Sequence, residues 1–269
     1  MSVSAEITEL EHRLSDACRA IGPMVVAFSG GVDSALLAVA AHRALPGAAW
    51  SVTADSASLA SGELEQCERF AAAHGLSWST AQTLELDDQR YLANDGERCF
   101  WCKTALMDQL VPVAERHAAT VVLGVNVDDL GDHRPGQRAA AERGARFPLV
   151  DAGFGKTEIR SLAKAWDLEV WDRPAMPCLS SRIPYDTPVS IGLLGRIDRA
   201  EAALRRRGFD DVRVRHYDDT ARIEVPADRL AELAAIAHEV VPELERIGYR
   251  YVTLDLAGLR SGNLNSVLR

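Results

Sequence analysis

Six consecutive residues, Ser29-Gly30-Gly31-Val32-Asp33-Ser34, combine a hydroxyl at each end, two glycines and one carboxylate. Such a set suits a polyphosphate: glycines let the chain turn sharply and let backbone N–H groups approach an anion. The apolar run Met24 to Phe28, which brings Ala27 to the mouth of the loop, predicts a buried parallel strand. Ala35 to Ala44 predicts an alanine- and leucine-rich helix. Its N-terminus adds partial positive charge, with Ser34 a further donor. The segment lacks the Gly-Lys-Ser/Thr of a Walker loop and the three spaced glycines of a dinucleotide fold. An ordinary glycine-rich strand-to-helix turn is the plain alternative.

The five cysteines fall into two groups. Cys18 and Cys67 lie in stretches of amphipathic helical spacing, where a free thiol acts as a small buried hydrophobe. Cys99 and Cys102 form a CxxC (Arg98-Cys99-Phe100-Trp101-Cys102-Lys103) at the predicted start of a helix, where the dipole and flanking cations favour thiolates. Cys178 lies in a proline-rich stretch and is followed by Leu179-Ser180-Ser181-Arg182, whose hydroxyls and cation suit an anionic substrate. Three thiolates can hold three irons of a cubane cluster and leave the fourth open, or they can be three ligands of zinc. A redox-active pair is a third reading of the CxxC. The histidines (His12, His42, His74, His117, His133, His216 and His238) show no HxxxH spacing, so no histidine-rich metal site is predicted.

Val212-Arg213-Val214-Arg215-His216 alternates as a strand does, which puts Arg213 and Arg215 on one face. Two guanidinium groups side by side repel unless an anion or a carboxylate faces them. The partner is either a phosphate or Glu224 of the neighbouring strand, in an ion-pair ladder.

These groups need a frame. Ala48 to Ala54 predicts a second strand, Glu63 to His74 a helix, Ser77 to Leu86 a third strand, Cys99 to His117 a helix and Thr120 to Gly124 a short buried strand. The alternation predicts a parallel sheet covered on both faces, with ligands at the carboxyl ends of its strands. Asn126 to Gly136 (NVDDLGDHRPG) carries three aspartates and one arginine and reads as a loop at that edge, either plainly solvated or serving substrate or Mg2+. Lys156 to Asp167 is another amphipathic helix. Between Trp171 and Pro188, four prolines exclude regular structure. A helix (Ser190 to Arg207), two strands (Val212 to His216 and Ala221 to Val225) turning at Asp218-Asp219, a helix (Asp228 to Arg246) and a strand (Tyr249 to Asp255) follow. The expected plan is α/β: a parallel-sheet domain over 1–170, an active-site loop or linker over 171–189 and a small α+β domain over 190–269.

The 269 residues carry a net charge of −9, with 47 % apolar and 26 % charged residues. That balance fits a soluble globular chain and disfavours nucleic acid as a partner. No apolar run nears the roughly 20 residues of a membrane span, so no membrane partner is expected. The acidic start (Met1 to Leu14) lacks a signal-peptide pattern, and an odd number of cysteines argues against a disulfide framework. A cytoplasmic protein is expected.

The hexapeptide SGGVDS resembles the pyrophosphate (PP) loop of the N-type ATP pyrophosphatases, which cleave ATP between the α- and β-phosphates and leave AMP on a substrate. Taken with RCFWCK, GDHRPG, PAMPCLSSRIPYDTP, VRVRHYDDTARIEVP and YRYVTLDLAGLRSGNLN, in that order through nearly the whole chain, it is similar to the LarE family. The resemblance implies a PP-loop ATP pyrophosphatase domain with a smaller C-terminal domain, assembled as homo-oligomers. It implies an ATP-dependent sulfur transferase of nickel-pincer cofactor synthesis. Such enzymes adenylate a carboxylate of pyridinium-3,5-biscarboxylic acid mononucleotide, release pyrophosphate and replace the activated oxygen with sulfur, for eventual use by lactate racemase. By this resemblance Ala27, Ser29, Gly30, Gly31 and Ser34 hold the pyrophosphate, and Asp33 binds Mg2+ or orients the phosphates. Cys178 handles sulfur, while Ser180, Arg182, Arg213 and Arg215 anchor the phosphate of the mononucleotide. One LarE type sacrifices its single loop cysteine; another holds a [4Fe-4S] cluster on three cysteines, and Cys99, Cys102 and Cys178 match the second. The sulfide donor is not implied. The alternative is a tRNA thiolation enzyme, against which stand the acidic chain and the match across the C-terminal half. An amidating ligase would leave the three cysteines unexplained, and a nucleotide sensor would not need Cys178.

Overall fold

The computed structural model describes residues 3–130, 134–174 and 176–260. Gly131, Asp132 and His133 of the polar loop, Ala175, the first two residues and the closing residues 261–269 lie outside the described residues. The chain runs through α1 (Val3–Ile21), β1 (Met24–Ala27), α2 (Val32–Ala44), β2 (Ala49–Asp55), α3 (Glu63–Ala73) and β3 (Trp78–Gln82). A short α4 (Gln89–Leu92) precedes α5 (Arg98–Arg116), β4 (Thr120–Leu123), α6 (Pro135–Glu142), α7 (Pro148–Asp151) and α8 (Lys156–Ala165). Then come α9 (Ile191–Arg205), β5 (Arg213–Tyr217), β6 (Thr220–Glu224), α10 (Leu230–Ala235), α11 (Ala237–Ile247) and β7 (Tyr251–Leu254). Two compact units divide the chain. One holds Met1–Ser56, Gly62–Glu85 and Cys99–Met176, the other Ala57–Ser61, Leu86–Arg98 and Pro177–Arg269.

In the first unit four parallel strands pair in the order β3-β2-β1-β4, with Ala27 level with Val52 on one side and Leu123 on the other. The direction of strand addition reverses at β1. The crevice at the carboxyl ends of β1 and β4 is therefore where such a sheet takes a ligand. Side chains alternate across the sheet. Met24 and Val26 meet Leu14, Leu36, Leu37 and Leu162 on one face, and Val25, Val52 and Val121 meet Met107, Leu110 and Ala140 on the other. Each such leucine removed from water contributes about 1.5–3 kcal/mol. Helix α2 is buried from Ser34 to Ala41, because its small side chains let α1 and α8 pack against it as well as the sheet.

The second unit is α+β. β5 and β6 form an antiparallel hairpin turning at Asp218 (φ 50), as expected, and β7 joins β6 in parallel. Its core gathers Leu204, Val214, Ile223, Leu244 and Tyr249. The expected helix from Asp228 to Arg246 is instead a 3-10 turn (Ala227–Arg229) followed by α10 and α11, which meet at Ile236. No glycine or proline marks that break, and Pro242 sits inside α11. The polar stretch Asn126 to Gly136 is only partly loop. Val127–Asp129 is a 3-10 turn, and α6 starts at Pro135, whose fixed φ suits a first helical position. Among the described residues no helix is long and apolar enough to cross a membrane.

Candidate active site

β1 carries the chain to the crevice, and the Phe28 N–H extends the sheet by donating to the Val52 carbonyl at 2.9 Å. The loop then folds on its own hydroxyls. Ser34 Oγ donates to the Gly31 carbonyl (3.0 Å), accepts the Ser29 N–H (3.2 Å) and lies 3.1 Å from Ser29 Oγ. No side chain caps α2 at Gly31, so its first N–H groups keep their capacity for an anion. The two loop glycines are not equivalent. Gly30 has φ +75, and a Cβ there would lie 2.9 Å from Cys67 Sγ. Gly31 has ordinary extended backbone (φ −75, ψ 157), and its added Cβ would come no nearer than 3.8 Å to a neighbour. Gly124, just past β4, is the crowded position. A Cβ there would lie 2.8 Å from Ser34 N and 3.0 Å from the Asp33 carbonyl carbon. The end of β4 presses directly on the backbone of the loop.

Asp33, in the first turn of α2, meets groups from two later segments. Lys156 Nζ bonds Asp33 Oδ2, Asn126 Nδ2 reaches the same oxygen at 3.5 Å, and Asp33 Oδ1 is buried without a partner among the described residues. Burial raises the Asp33 carboxyl above its ordinary value, the bond and charge of Lys156 oppose this, and Asp129 adds to it. Mg2+ is commonly held by one or two carboxylates plus the phosphates of a substrate. An aspartate with one bare oxygen in a phosphate loop fits that ion. Asp128 and Asp129 shape the edge instead: Asp128 accepts the Lys156 N–H at 2.7 Å, and Asp129 pairs with Arg134 at 2.9 Å.

Cys99 and Cys102 lie at the start of α5, three residues apart and so on one face. Neither is in a disulfide; Cys99 is exposed and Cys102 half-buried. α6 packs on this turn through Arg138, whose guanidinium lies over the Phe100 ring at 4.8 Å. Cys18 and Cys67 are buried. Burial pushes the Cys18 thiol up to about 12 and raises that of Cys67, so both belong to the core.

In the second unit Cys178 is free and half-buried at the head of a 3-10 turn, Leu179–Arg182. Arg182 is 4 % exposed and grips that turn. It donates to the carbonyls of Pro177 and Cys178 (the latter at 3.2 Å) and to Ser181 Oγ (3.1 Å), and it pairs with Glu201 at 2.8 and 3.1 Å. Ser180 is fully buried, with its hydroxyl 2.5 Å from Tyr91 Oη and its carbonyl accepting from Arg98 Nη1 at 2.9 Å. Asn94 donates to the Pro184 and Thr187 carbonyls at 2.7 and 2.8 Å. Tyr91, Asn94 and Arg98 brace the proline-rich loop from a stretch that sequence reading left unassigned. The one local signal was Arg98, immediately before Cys99.

Arg213 and Arg215 are both buried. Arg215 bonds Glu224 Oε2 through Nε (3.0 Å) and Nη2 (2.9 Å), and the Ser181 carbonyl through Nη1 (2.7 Å). It is at once a ladder partner and an anchor of the Cys178 turn. Glu201 also takes Arg205 (2.7 Å) and the Val214 N–H (3.0 Å). Arg213 differs. It lies opposite Glu224 in register, yet its guanidinium bonds the Arg260 carbonyl at 3.2 Å and makes no carboxylate contact among the described residues. Burial, then Arg215 and Arg182, lower its pKa. Buried Arg182, Arg213 and Arg215 outnumber buried Glu201 and Glu224 by one positive charge, and Arg213 carries it.

Among the described residues no three His, Cys, Asp or Glu side chains are grouped as a metal site. No family model matches the chain. It is 42 % identical over 265 residues to an uncharacterized protein of Synechocystis sp., covering 96 % of this chain and 99 % of that one. An uncharacterized protein of Methanocaldococcus jannaschii is 28 % identical over 239 residues, 88 % of this chain and 91 % of its own. The pyridinium-3,5-bisthiocarboxylic acid mononucleotide synthase of Lactiplantibacillus plantarum is 34 % identical over 266 residues, 98 % of this chain and 96 % of its own. With that relative aligned from end to end, the chain belongs to the LarE family of pyridinium-3,5-bisthiocarboxylic acid mononucleotide synthases.

Proposed function

We propose that this protein is an ATP-dependent sulfur transferase that adenylates a carboxylate of pyridinium-3,5-biscarboxylic acid mononucleotide and converts it to the thiocarboxylate. The observation that carries the reading is the Ser29 to Ser34 loop at the reversal point of the parallel sheet, with the bare oxygen of Asp33 inside it. A carboxylate resists nucleophiles because oxide is a poor leaving group, and AMP on its oxygen removes that obstacle. A substrate carboxylate oxygen bonds the α-phosphorus, the bond to the α–β bridging oxygen breaks, and pyrophosphate departs with the electron pair. Ser29, Gly30, Gly31, Ser34 and the first N–H groups of α2 hold that pyrophosphate, with Ala27 ending the strand beneath it. Asp33 holds Mg2+, which when bound neutralises phosphate charge. Asp33→Ala or Ser34→Ala is expected to abolish AMP formation with the fold intact, since one charge-assisted contact to the transition state is worth about 2–4 kcal/mol. Wild-type pyrophosphate release in both variants would refute the assignment.

In the second step a sulfur nucleophile attacks the acyl carbon and AMP leaves. Cys178 handles that sulfur, held by the grip of Arg182 on its turn. The phosphate of the mononucleotide meets Arg213, whose guanidinium makes no carboxylate contact among the described residues, while Arg215, Arg182 and Ser180, bonded to Glu224, Glu201 and Tyr91, support that anchor. The sulfur arrives by the three-cysteine route, with Cys99, Cys102 and Cys178 as ligands of a [4Fe-4S] cluster. When bound, such a cluster keeps a fourth iron open to carry a sulfide. Three cysteines outside any disulfide, two of them on one helix face, support this reading. The described residues hold no ready three-ligand group, so cluster loading is the test. Anaerobic reconstitution is expected to give near-stoichiometric iron and sulfide in the wild type and neither in any single Cys→Ala variant. A Cys99→Ala variant that completes one turnover and leaves dehydroalanine at position 178 would replace the cluster route with a sacrificial one. Homo-oligomeric assembly, which sedimentation tests, belongs to the same reading.

A further inference from the structure

One close approach in the first unit has no part in the adenylation step. Gly136, the second residue of α6, lies against the first turn of α5. A Cβ there would come 3.1 Å from the Cys99 carbonyl oxygen, 3.7 Å from its carbonyl carbon and 3.6 Å from Lys103 Cβ. Gly136 is not among the glycines of positive φ, so closeness and not backbone freedom calls for glycine here. Two residues on, Arg138 lays its guanidinium over the Phe100 ring at 4.8 Å, and Phe100 meets Trp101 edge-on at 4.9 Å. Both residues between the cysteines are therefore held, one by α6 and the other through its neighbour. Helix α6 is itself pinned. At its head Arg134 pairs with Asp129 at 2.9 Å, and at its tail Arg143 pairs with Asp108 of α5. Between them Ala140, one turn from Gly136 and on the same face, is buried in the apolar cluster of Leu106, Met107 and Leu110. Exposed ion pairs add little stability, but with Ala140 they fix where Gly136 falls on α5.

We propose that Gly136 and Arg138 are positioning residues for the cysteine pair: α6 sets the height of the Cys99 backbone and the turn of Phe100, and with them the spacing of the Cys99 and Cys102 thiols. The inference rests on the reading that this pair serves sulfur transfer. Helix ends fray, and two thiols on an unsupported first turn would hold no fixed separation. A second helix seated on that turn, one glycine deep, removes the variation and leaves the pair ready to grip one atom together.

The test is titration of the reduced full-length protein with phenylarsine oxide, whose arsenic bridges two thiols with loss of water and so reads their spacing. Mass spectrometry of the bridged peptide confirms the site. Loss of a supporting group around a ligand pair costs about tenfold to hundredfold in affinity, and the shift forced here is a few tenths of an ångström. Gly136→Ala is accordingly expected to weaken bridging about threefold to tenfold, with Tm little changed because the helix propensity of alanine offsets the crowding. Arg138→Gln is expected to weaken it about twofold to fivefold, the worth of an exposed cation–π contact, and Arg138→Lys to recover part of that. Alkylation of Cys99 by iodoacetamide, which needs one thiol only, is expected to keep its wild-type rate in all three. Wild-type bridging in both Gly136→Ala and Arg138→Gln overturns the proposal, as does a wild-type protein that bridges no arsenic at this pair. Weaker bridging joined to a lower Tm and faster alkylation of both cysteines overturns it too, since the turn has then unravelled. Wild-type thiocarboxylate formation in a Cys99→Ala/Cys102→Ala double variant overturns the sulfur-transfer reading of the pair instead, which separates the two failures.

Discussion

Gly124→Ala separates a loop held in place by β4 from one that holds its own shape. The added Cβ would lie 2.8 Å from Ser34 N, 3.0 Å from the Asp33 carbonyl carbon and 3.0 Å from Ser34 Cα. All three are backbone atoms of the anion loop or the first turn of α2, so no flexible side chain can give way. Forcing an extra methyl into a packed site costs about 1–3 kcal/mol. For a chain of this size each kcal/mol lowers Tm by about 2–4 °C, so the fall expected is roughly 2–12 °C. Gly31→Ala is the control. Its backbone suits alanine, and its Cβ would meet nothing nearer than 3.8 Å. Alanine is a poorer N-cap than glycine, but it also stiffens the unfolded chain by about 0.4–1 kcal/mol, so the two effects nearly cancel. The assay is a calorimetric melt paired with pyrophosphate titration. Gly124→Ala should lose both stability and affinity. Gly31→Ala should keep its Tm, and any loss of affinity then reports close approach of the anion to residue 31. Gly124→Ala melting and binding like wild type would refute the claim that β4 sets the height of the loop.

Glu201→Gln should destabilise by about 3–5 kcal/mol, because it leaves buried Arg182 and its neighbour Arg205 facing an uncharged amide; a shift in urea midpoint worth under 1 kcal/mol would contradict this. Arg213→Gln should preserve Tm while raising the KM for the mononucleotide roughly tenfold to hundredfold, whereas Arg215→Gln should lower Tm by removing two bonds to buried Glu224 and one to the Ser181 carbonyl; the reverse pattern would exchange their roles. His42 is held neutral, with Nδ1 2.8 Å from the Ala38 carbonyl and Nε2 accepting the Ser77 N–H at 2.9 Å. Burial lowers its pKa below the ordinary 6.5, so below pH 6.5 the unfolded chain binds the extra proton first. Its stabilisation is therefore complete above pH 6.5 and is lost as pH falls toward the depressed folded value. The urea midpoint of His42→Gln should fall less than that of wild type between pH 7 and 5, and parallel curves would contradict this.

What the sequence made legible is what short-range chemistry decides. The strand, glycine turn and helix around Ser29 to Ser34 agree with one another within a few residues, as do the Asp218 hairpin and the burial of Cys18 and Cys67. Arg215 and Glu224 were one of two readings of an alternating strand, and the register of β5 with β6 made the pair. The rest depends on contacts that topology supplies. Lys156 meets Asp33 across 123 residues, and Tyr91 meets Ser180 across 89. No periodicity predicts such a partner. Gly124 read as the end of a buried strand, and only the closeness of the neighbouring loop shows why that position is bare of a side chain. Pro135 did carry a helix-start signal for α6, which the polar composition around it outweighed.

The most direct test of the central claim is mass spectrometry of the mononucleotide after anaerobic turnover with ATP, read beside the nucleotide products. If the protein is an adenylating sulfur transferase, each thiocarboxylate formed is matched by one AMP and one pyrophosphate, and Asp33→Ala yields none of the three. ADP and inorganic phosphate in place of AMP and pyrophosphate, or a product in which nitrogen rather than sulfur has replaced the carboxylate oxygen, would contradict it.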